Sequence, residues 1–151
     1  MTSLDANLLL YSYSSASPWH DTATRFITDA TERTDFALSE FVLVELYTLL
    51  RNPAVLTAPL TAKAATGVIE QWRRHPRWQL LGFPADSVRL HEELWRQAAT
   101  PQFARRRVYD VRLALSLRQQ GVTQFATANI KDFSNLGFSR VWNPCEDQKL
   151  I

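Results

Sequence analysis

The stretch Arg107-Val108-Tyr109-Asp110-Val111-Arg112-Leu113-Ala114-Leu115-Ser116-Leu117-Arg118-Gln119-Gln120-Gly121-Val122-Thr123-Gln124-Phe125-Ala126 settles the fold class. Up to Gln120 it reads as a helix, with Leu113, Ala114 and Leu117 following Asp110 at i+3, i+4 and i+7. Gly121 stands where a left-handed residue closes a helix, and Val122 to Ala126 then reads as a strand.

Outward from this unit the same alternation recurs. Thr2 to Asp5 is a short first strand, and the apolar stretch from Leu8 to Tyr13 either extends it or forms a helix, a choice that periodicity leaves open. After Ser17-Pro18, the run Trp19 to Thr31 carries Ala23, Phe26, Ile27 and Ala30 at helical spacing. A strand at Asp35 to Leu38 leads to Ser39, an N-cap for a helix that Asn52-Pro53 ends after Arg51. Thr61 to Arg74 is helical and Trp78 to Phe83 a strand. The next helix is capped at Asp86 or Ser87, with Val88, His91, Leu94, Trp95 and Ala98 as its expected buried stripe. Ser139 to Trp142 is a last strand. Strands separated by helices imply right-handed crossovers, hence an α/β fold with a mainly parallel sheet of four to five strands flanked by helices.

The 151 residues, 46% of them hydrophobic, make one domain over 1–151 rather than two. A single Cys145 excludes an internal disulfide and a thiolate zinc cluster. The four glycines are too scattered for a phosphate-cradling loop, and His20, His75 and His91 lack the spacing of a zinc hydrolase. No apolar run reaches the ~20 residues that span a bilayer. With no basic, apolar leader at the start, the expected location is the cytoplasm and no membrane partner is expected. Lys+Arg 17 against Asp+Glu 15 gives a formal charge of +2, which neither requires nor excludes a nucleic acid.

The informative acids are those in apolar surroundings. Glu45 lies in Phe41-Val42-Leu43-Val44-Glu45-Leu46-Tyr47-Thr48-Leu49-Leu50, a helix apolar nearly all round and therefore expected to be buried. A carboxylate kept there needs a cation, a donor network or an opening to a cleft; a solvent seam or an arginine partner is the plainer explanation. Asp110 falls on the apolar stripe of its helix, although an acid in a first turn also complements the helix dipole. Asp5 ends the first strand, where parallel sheets border their ligand crevice, or simply caps the next helix. Asn7 lies near it, and the strand ending at Ala126 brings Thr127, Asn129 and Asp132 to the same edge. Carboxylates so grouped stay ionised together only beside a hard cation, and oxygen-only ligands suit Mg²⁺ or Mn²⁺.

Taken together, Leu4-Asp5-Ala6-Asn7, Ser39-Glu40-Phe41-Val42-Leu43-Val44-Glu45-Leu46-Tyr47 with Leu50-Arg51-Asn52-Pro53, Val108-Tyr109-Asp110-Val111-Arg112-Leu113-Ala114, and Thr127-Ala128-Asn129-Ile130-Lys131-Asp132-Phe133 resemble the PIN-domain ribonucleases, and within them the VapC-type toxins of toxin–antitoxin pairs. The resemblance runs to Val141-Trp142-Asn143-Pro144 and so spans nearly the whole chain. It implies a PIN-like fold in which Asp5, Glu45 and Asp110 match the three principal acidic positions. Many relatives carry an aspartate where Asn129 stands, which leaves Asp132 as the nearby carboxylate. The implied site is catalytic at Asp5, Glu45, Asp110, Asp132 and Asn129, with Asp5, Asp110 and Glu45 as metal ligands.

The activity so implied is Mg²⁺-dependent hydrolysis of RNA phosphodiesters, Mn²⁺ being a substitute, leaving 5′-phosphate and 3′-hydroxyl ends. Arg105, Arg106, Arg107 and Arg112, with Asn7 and Thr127, are the expected substrate contacts; the arginine triplet taken alone reads as a solvated helix entry. The implied partners are RNA, a small VapB-type antitoxin, and a second copy of the chain in a homodimer or toxin–antitoxin hetero-oligomer. Two other readings stand beside this one. A PIN-like module binding RNA or protein without cutting is prompted by Asn129. A haloacid-dehalogenase-like phosphatase also starts with an acid after its first strand, but it needs a second aspartate where Asn7 stands.

Overall fold

A computed structural model describes residues 1–146; the last five residues of the domain expected over 1–151 lie outside the described residues. The elements run β1 (Thr2–Leu4), α1 (Ala6–Tyr13), α2 (His20–Thr31), β2 (Ala37–Ser39), α3 (Glu40–Leu50), α4 (Ala62–Arg73), β3 (Gln79–Leu81), α5 (Ser87–Ala98), α6 (Arg107–Gln119), β4 (Gln124–Ala126), α7 (Ile130–Phe133) and β5 (Arg140–Trp142).

Every strand pairing is parallel. β1 lies beside β4 and β4 beside β5, while β2 pairs with β3. A parallel bridge from Thr2 to Phe36, with the Thr2 N–H donating to the Asp35 carbonyl at 2.9 Å, lays the lead-in of β2 along the other edge of β1. Among the described residues a three-stranded ladder, β1-β4-β5, and a two-stranded one, β2-β3, are thus joined by this single bridge in the spatial order 3-2-1-4-5, all parallel, as the alternating sequence pattern leads one to expect. Chain order reverses at β1, so the crevice beyond the carboxyl ends of β1 and β4 is the topological switch point where such sheets bind ligands.

Helix starts follow local chemistry. Asp5 caps α1, which resolves the segment Leu8 to Tyr13 as helix rather than strand. Ser39 Oγ accepts from the Phe41 N–H at 3.1 Å, Thr61 Oγ1 from the Ala64 N–H at 3.2 Å, and Asp86 Oδ1 from the Arg89 N–H at 3.0 Å, each satisfying a donor the helix cannot pair itself. Ser39→Ala is expected to lower unfolding stability by about 1 kcal/mol in a urea titration. Gly121, at φ 91°, closes α6 in the conformation that L side chains resist.

The core lies on both sides of the sheet, with Leu4, Leu38 and Phe125 from strands meeting Leu9, Leu46 and Leu117 from helices, all buried. Trp78 stacks on Phe36 and Trp72 at ring separations of 5.2 and 5.3 Å. One expected stripe is corrected. On α5 the buried residues are Leu90 and Leu94, which face α6, while Val88 is 73% and Trp95 60% exposed. The apolar spacing of this helix fits two phases, and its packing against α6 selects the one containing Leu90.

Candidate active site

Four acids, each brought by a different element, lie toward the switch point close enough to feel one another's charge. The register that sets Leu4 against Ala126 also sets Asp5 beside Thr127, and the Asp5 N–H donates to the Ala126 carbonyl at 2.9 Å. Asp5 is buried. Its Oδ1 accepts from the Ala6 N–H at 2.8 Å, and its Oδ2 from Thr127 Oγ1 at 2.6 Å and Asn7 Nδ2 at 3.1 Å. Thr127 Oγ1 in turn accepts from the Asn129 N–H at 3.0 Å, and Asn7 Oδ1 from the Ala128 N–H at 3.4 Å. Asn7 and Thr127, expected beside the substrate, are thus occupied in fixing one carboxylate. Asn129 contributes its backbone to that network, and its side chain makes no cap to α7.

Glu45 differs from its expected setting. Rather than being enclosed all round, α3 leaves Val44 64% exposed and turns Val44, Glu45 and Thr48 outward, because its apolar upper face is a groove wall instead of core. The groove, about 510 Å³, is lined by Phe41, Glu45, Arg106, Tyr109, Asp110 and Arg112 among others. A larger cavity of about 1050 Å³ between α5 and α6 mixes Asp86, Arg89, Glu93, Arg96 and Arg118 and contains none of the four converging acids. The smaller groove, which Glu45 and Asp110 line, is therefore the one with chemistry.

Asp5, Glu45 and Asp110 bind protons more tightly than free carboxyls do, through desolvation first and neighbouring carboxylates second. Although Glu45 is exposed on the groove wall, the protein packed around it desolvates its carboxyl and lifts it to about 7, with the charges of Asp5 and Asp110 adding to this and Arg106 opposing. Burial, then Asp132 and Asp5, lift Asp110 to about 6 against the pull of Arg107 and Arg106. Burial also raises Asp5; its hydrogen bonds from Thr127 and Ala6 lower it, and the charge of Asp132 raises it again. Asp132, half-buried at α7, thereby belongs to the same electrostatic group. Among the described residues none of Asp5, Glu45, Asp110 and Asp132 enters a salt bridge, whereas Glu40, Glu70 and Glu32 all pair with arginines.

The expected arginine contacts divide. Arg106 lines the groove and is exposed. Arg107 Nη1 donates to the backbone carbonyl of Asp132 at 3.2 Å, tying α6 to α7. Arg112 lies over the rings of Phe41 and Tyr109, with its guanidinium carbon 5.0 and 5.8 Å from their centroids. Arg105 is exposed and does not line the groove. Phe41 and Tyr109 are absent from the site residues expected from sequence. Their positions, one turn before Glu45 and next to Asp110, are the signal that points to them.

As for a metal, the donor set is oxygen-only, which fits a hard divalent cation. Among the described residues no three His, Cys, Asp or Glu side chains are gathered closely enough to hold one ion as they stand. Among them, too, no helix is long and apolar enough to cross a membrane.

Comparison with known proteins now has a fold and a groove to explain. No family model matches the chain. Ribonuclease VapC24 of Mycobacterium tuberculosis, in the CDC 1551 / Oshkosh and H37Rv strains alike, is 49% identical over 144 residues, 95% of this chain and 97% of the relative. Among solved structures, Mycobacterium tuberculosis VapC20, described as a sarcin-ricin loop cleaving toxin, superposes with a TM-score of 0.68 at 20% identity, covering 91% of this chain and 96% of that one. VapBC2 from Rickettsia felis, bound to a DNA fragment from its promoter, gives 0.64 at 16% identity with 94% and 98% covered. FitAB bound to IR36 DNA gives 0.62 at 17% identity with 97% and 96% covered. These distant structures share the fold, while the near relative shares half its residues along almost the full length; the chain belongs to the VapC family of PIN-domain toxins.

Proposed function

We propose that this chain is a divalent-metal-dependent endoribonuclease, the toxin of a pair whose small VapB-type antitoxin blocks the groove. The observation that carries this reading is the convergence of Asp5, Glu45, Asp110 and Asp132 from four separate elements with no salt bridge among the described residues to neutralise them. Structural acids at such a place would be paired with an arginine. Support comes from the near relative, a named ribonuclease, and from solved neighbours described as a sarcin-ricin loop cleaving toxin and as VapBC2.

Asp5, Asp110 and Glu45 would hold the cation, with Asp132 and Asn129 further out. A Mg²⁺ or Mn²⁺ ion bound there would offset the charge that builds on a phosphodiester and make water more acidic. The chain's own residues do the rest. Thr127 and Asn7 lock the Asp5 carboxylate in one orientation, so that it need not reorganise when substrate arrives. Glu45, on the open wall, orients or deprotonates the attacking water. Arg106, at the groove and only partly engaged by the acids, attracts the anionic backbone.

Expression of the parent and Asp110→Asn chains, followed by sequencing of cellular RNA ends, tests the proposal: new 5′-phosphate ends are expected with the parent only. A second variant probes the support of Asp5. Thr127→Val keeps the shape of the side chain and removes the 2.6 Å donor, so metal affinity or cleavage rate should fall about 10–100-fold. Titration calorimetry and an RNA cleavage assay read both quantities, and parent-like values would show that Thr127 does not position Asp5.

A further inference from the structure

We infer that Tyr109, Arg112 and Phe41 form a platform that stacks an unpaired RNA base beside the scissile phosphate. The inference rests on the ribonuclease reading and adds residues that this reading leaves idle.

Three observations carry it. First, Arg112 is half-buried and its Nε is wholly shielded from solvent with no hydrogen-bond partner, and the residue makes no salt bridge among the described residues. A guanidinium offers five donors, and a buried one left unmatched is costly. What holds it is ring contact, with Phe41 at 5.0 Å and Tyr109 at 5.8 Å.

Second, this cluster offers flat aromatic surface to solvent. Tyr109 is 60% and Phe83 85% exposed, and Phe83 meets Phe41 edge-on, 5.5 Å between centroids at 73°. Third, the cluster is continuous with the acids: Phe41 is one turn from Glu45, Tyr109 adjoins Asp110, and all four line one groove. Guanidinium planes and aromatic faces are the groups on which splayed-out bases stack, and every base has a π-face, so such a platform requires an unpaired base rather than a particular one. Base-paired RNA keeps its bases stacked on one another and gains nothing here. A protein partner could also cover exposed rings; the position against the carboxylates, with a guanidinium alongside, favours the polyanion.

The test is binding of an unstructured RNA oligonucleotide carrying 2-aminopurine at successive positions, whose fluorescence falls on stacking, to the full chain bearing Asp110→Asn so that it is not cut. Quenching is expected at one or two positions. Tyr109→Ala should remove it and weaken binding about 5- to 100-fold, Tyr109→Phe should retain both, and Arg112→Lys, which keeps the charge and loses the plane, should reduce quenching. Circular dichroism confirms folding, and Phe83→Ala, at a more exposed position, provides a second substitution with a smaller loss. The proposal is overturned if no position is quenched, if duplex RNA binds as well as single-stranded RNA, or if Tyr109→Ala leaves RNA binding intact and instead releases a co-expressed antitoxin. Failure of the ribonuclease reading looks different: quenching occurs with the Asp110→Asn chain, yet the parent cuts nothing.

Discussion

Asp110→Asn is expected to reduce RNA cleavage by at least about 100- to 1000-fold while the protein remains folded. The side chain keeps its shape and loses its charge. Asp110 sits in the first turn of α6 and faces the groove, where the charges of Asp132 and Asp5 already oppose its ionisation. Removing the charge forfeits about 0.3–1 kcal/mol of favourable interaction with the helix dipole and relieves repulsion within the acidic group, so the net change in stability is small. The loss should therefore fall on function, and it should appear as lost cleavage of RNA and lost cellular toxicity with an unchanged melting profile. An Asp110→Asn chain that cuts as fast as the parent would remove the acidic group from the mechanism.

The second large effect is expected on metal removal. Chelation should abolish cleavage, with Mg²⁺ or Mn²⁺ restoring it, and calorimetry should detect binding of either ion. Absence of binding at millimolar concentration would favour a PIN-like module that holds RNA or protein without cutting. Stability supplies an independent readout. Glu45 and Asp110, at about 7 and about 6, hold protons more tightly folded than unfolded, so the folded state binds more protons through this range. Their contribution is present below the ordinary carboxyl range near 4 and is lost as pH climbs through about 6 and about 7. Without metal, the unfolding midpoint should thus be higher at pH 5 than at pH 8, the reverse of what paired carboxylates give. A divalent ion at 100 times its dissociation constant adds about 2.7 kcal/mol, or about 5–10 °C for a chain of this size, and does so mainly at the higher pH, where the carboxylates are ionised. A midpoint that rises with pH in the metal-free protein would contradict the shared-charge picture.

How far the sequence reached differs from residue to residue. Ser39, Asp86 and Gly121 were legible because caps and terminators act within one turn of their own position. The alternation of strands and helices sufficed for a parallel α/β sheet, since crossover handedness leaves few arrangements. Glu45 and Asp110 stood out as charges on apolar helix faces, and Asp5 as an acid at the end of a strand. The surroundings of Glu45 did not: a run of apolar residues says that a helix is covered on many sides, not which side opens onto a groove. On α5 Leu94 is buried as its spacing implied, but only contact with α6 puts Leu90 beside it in place of Val88 and Trp95.

By itself, the sequence determined several helix caps and ends, that strands and helices alternate into an α/β domain, and which carboxylates are out of place, because each of these depends on neighbours a few residues apart; the helix over Leu8 to Tyr13 it left open. The tertiary structure decided what those carboxylates meet. Thr127 reaches Asp5 across 122 positions of chain through the parallel register of β1 on β4, and Phe41 of α3 meets Arg112 of α6 in the groove that both helices line. Such contacts follow from strand register and helix rotation, which are fixed by the burial of the whole core and are invisible to any short window of sequence.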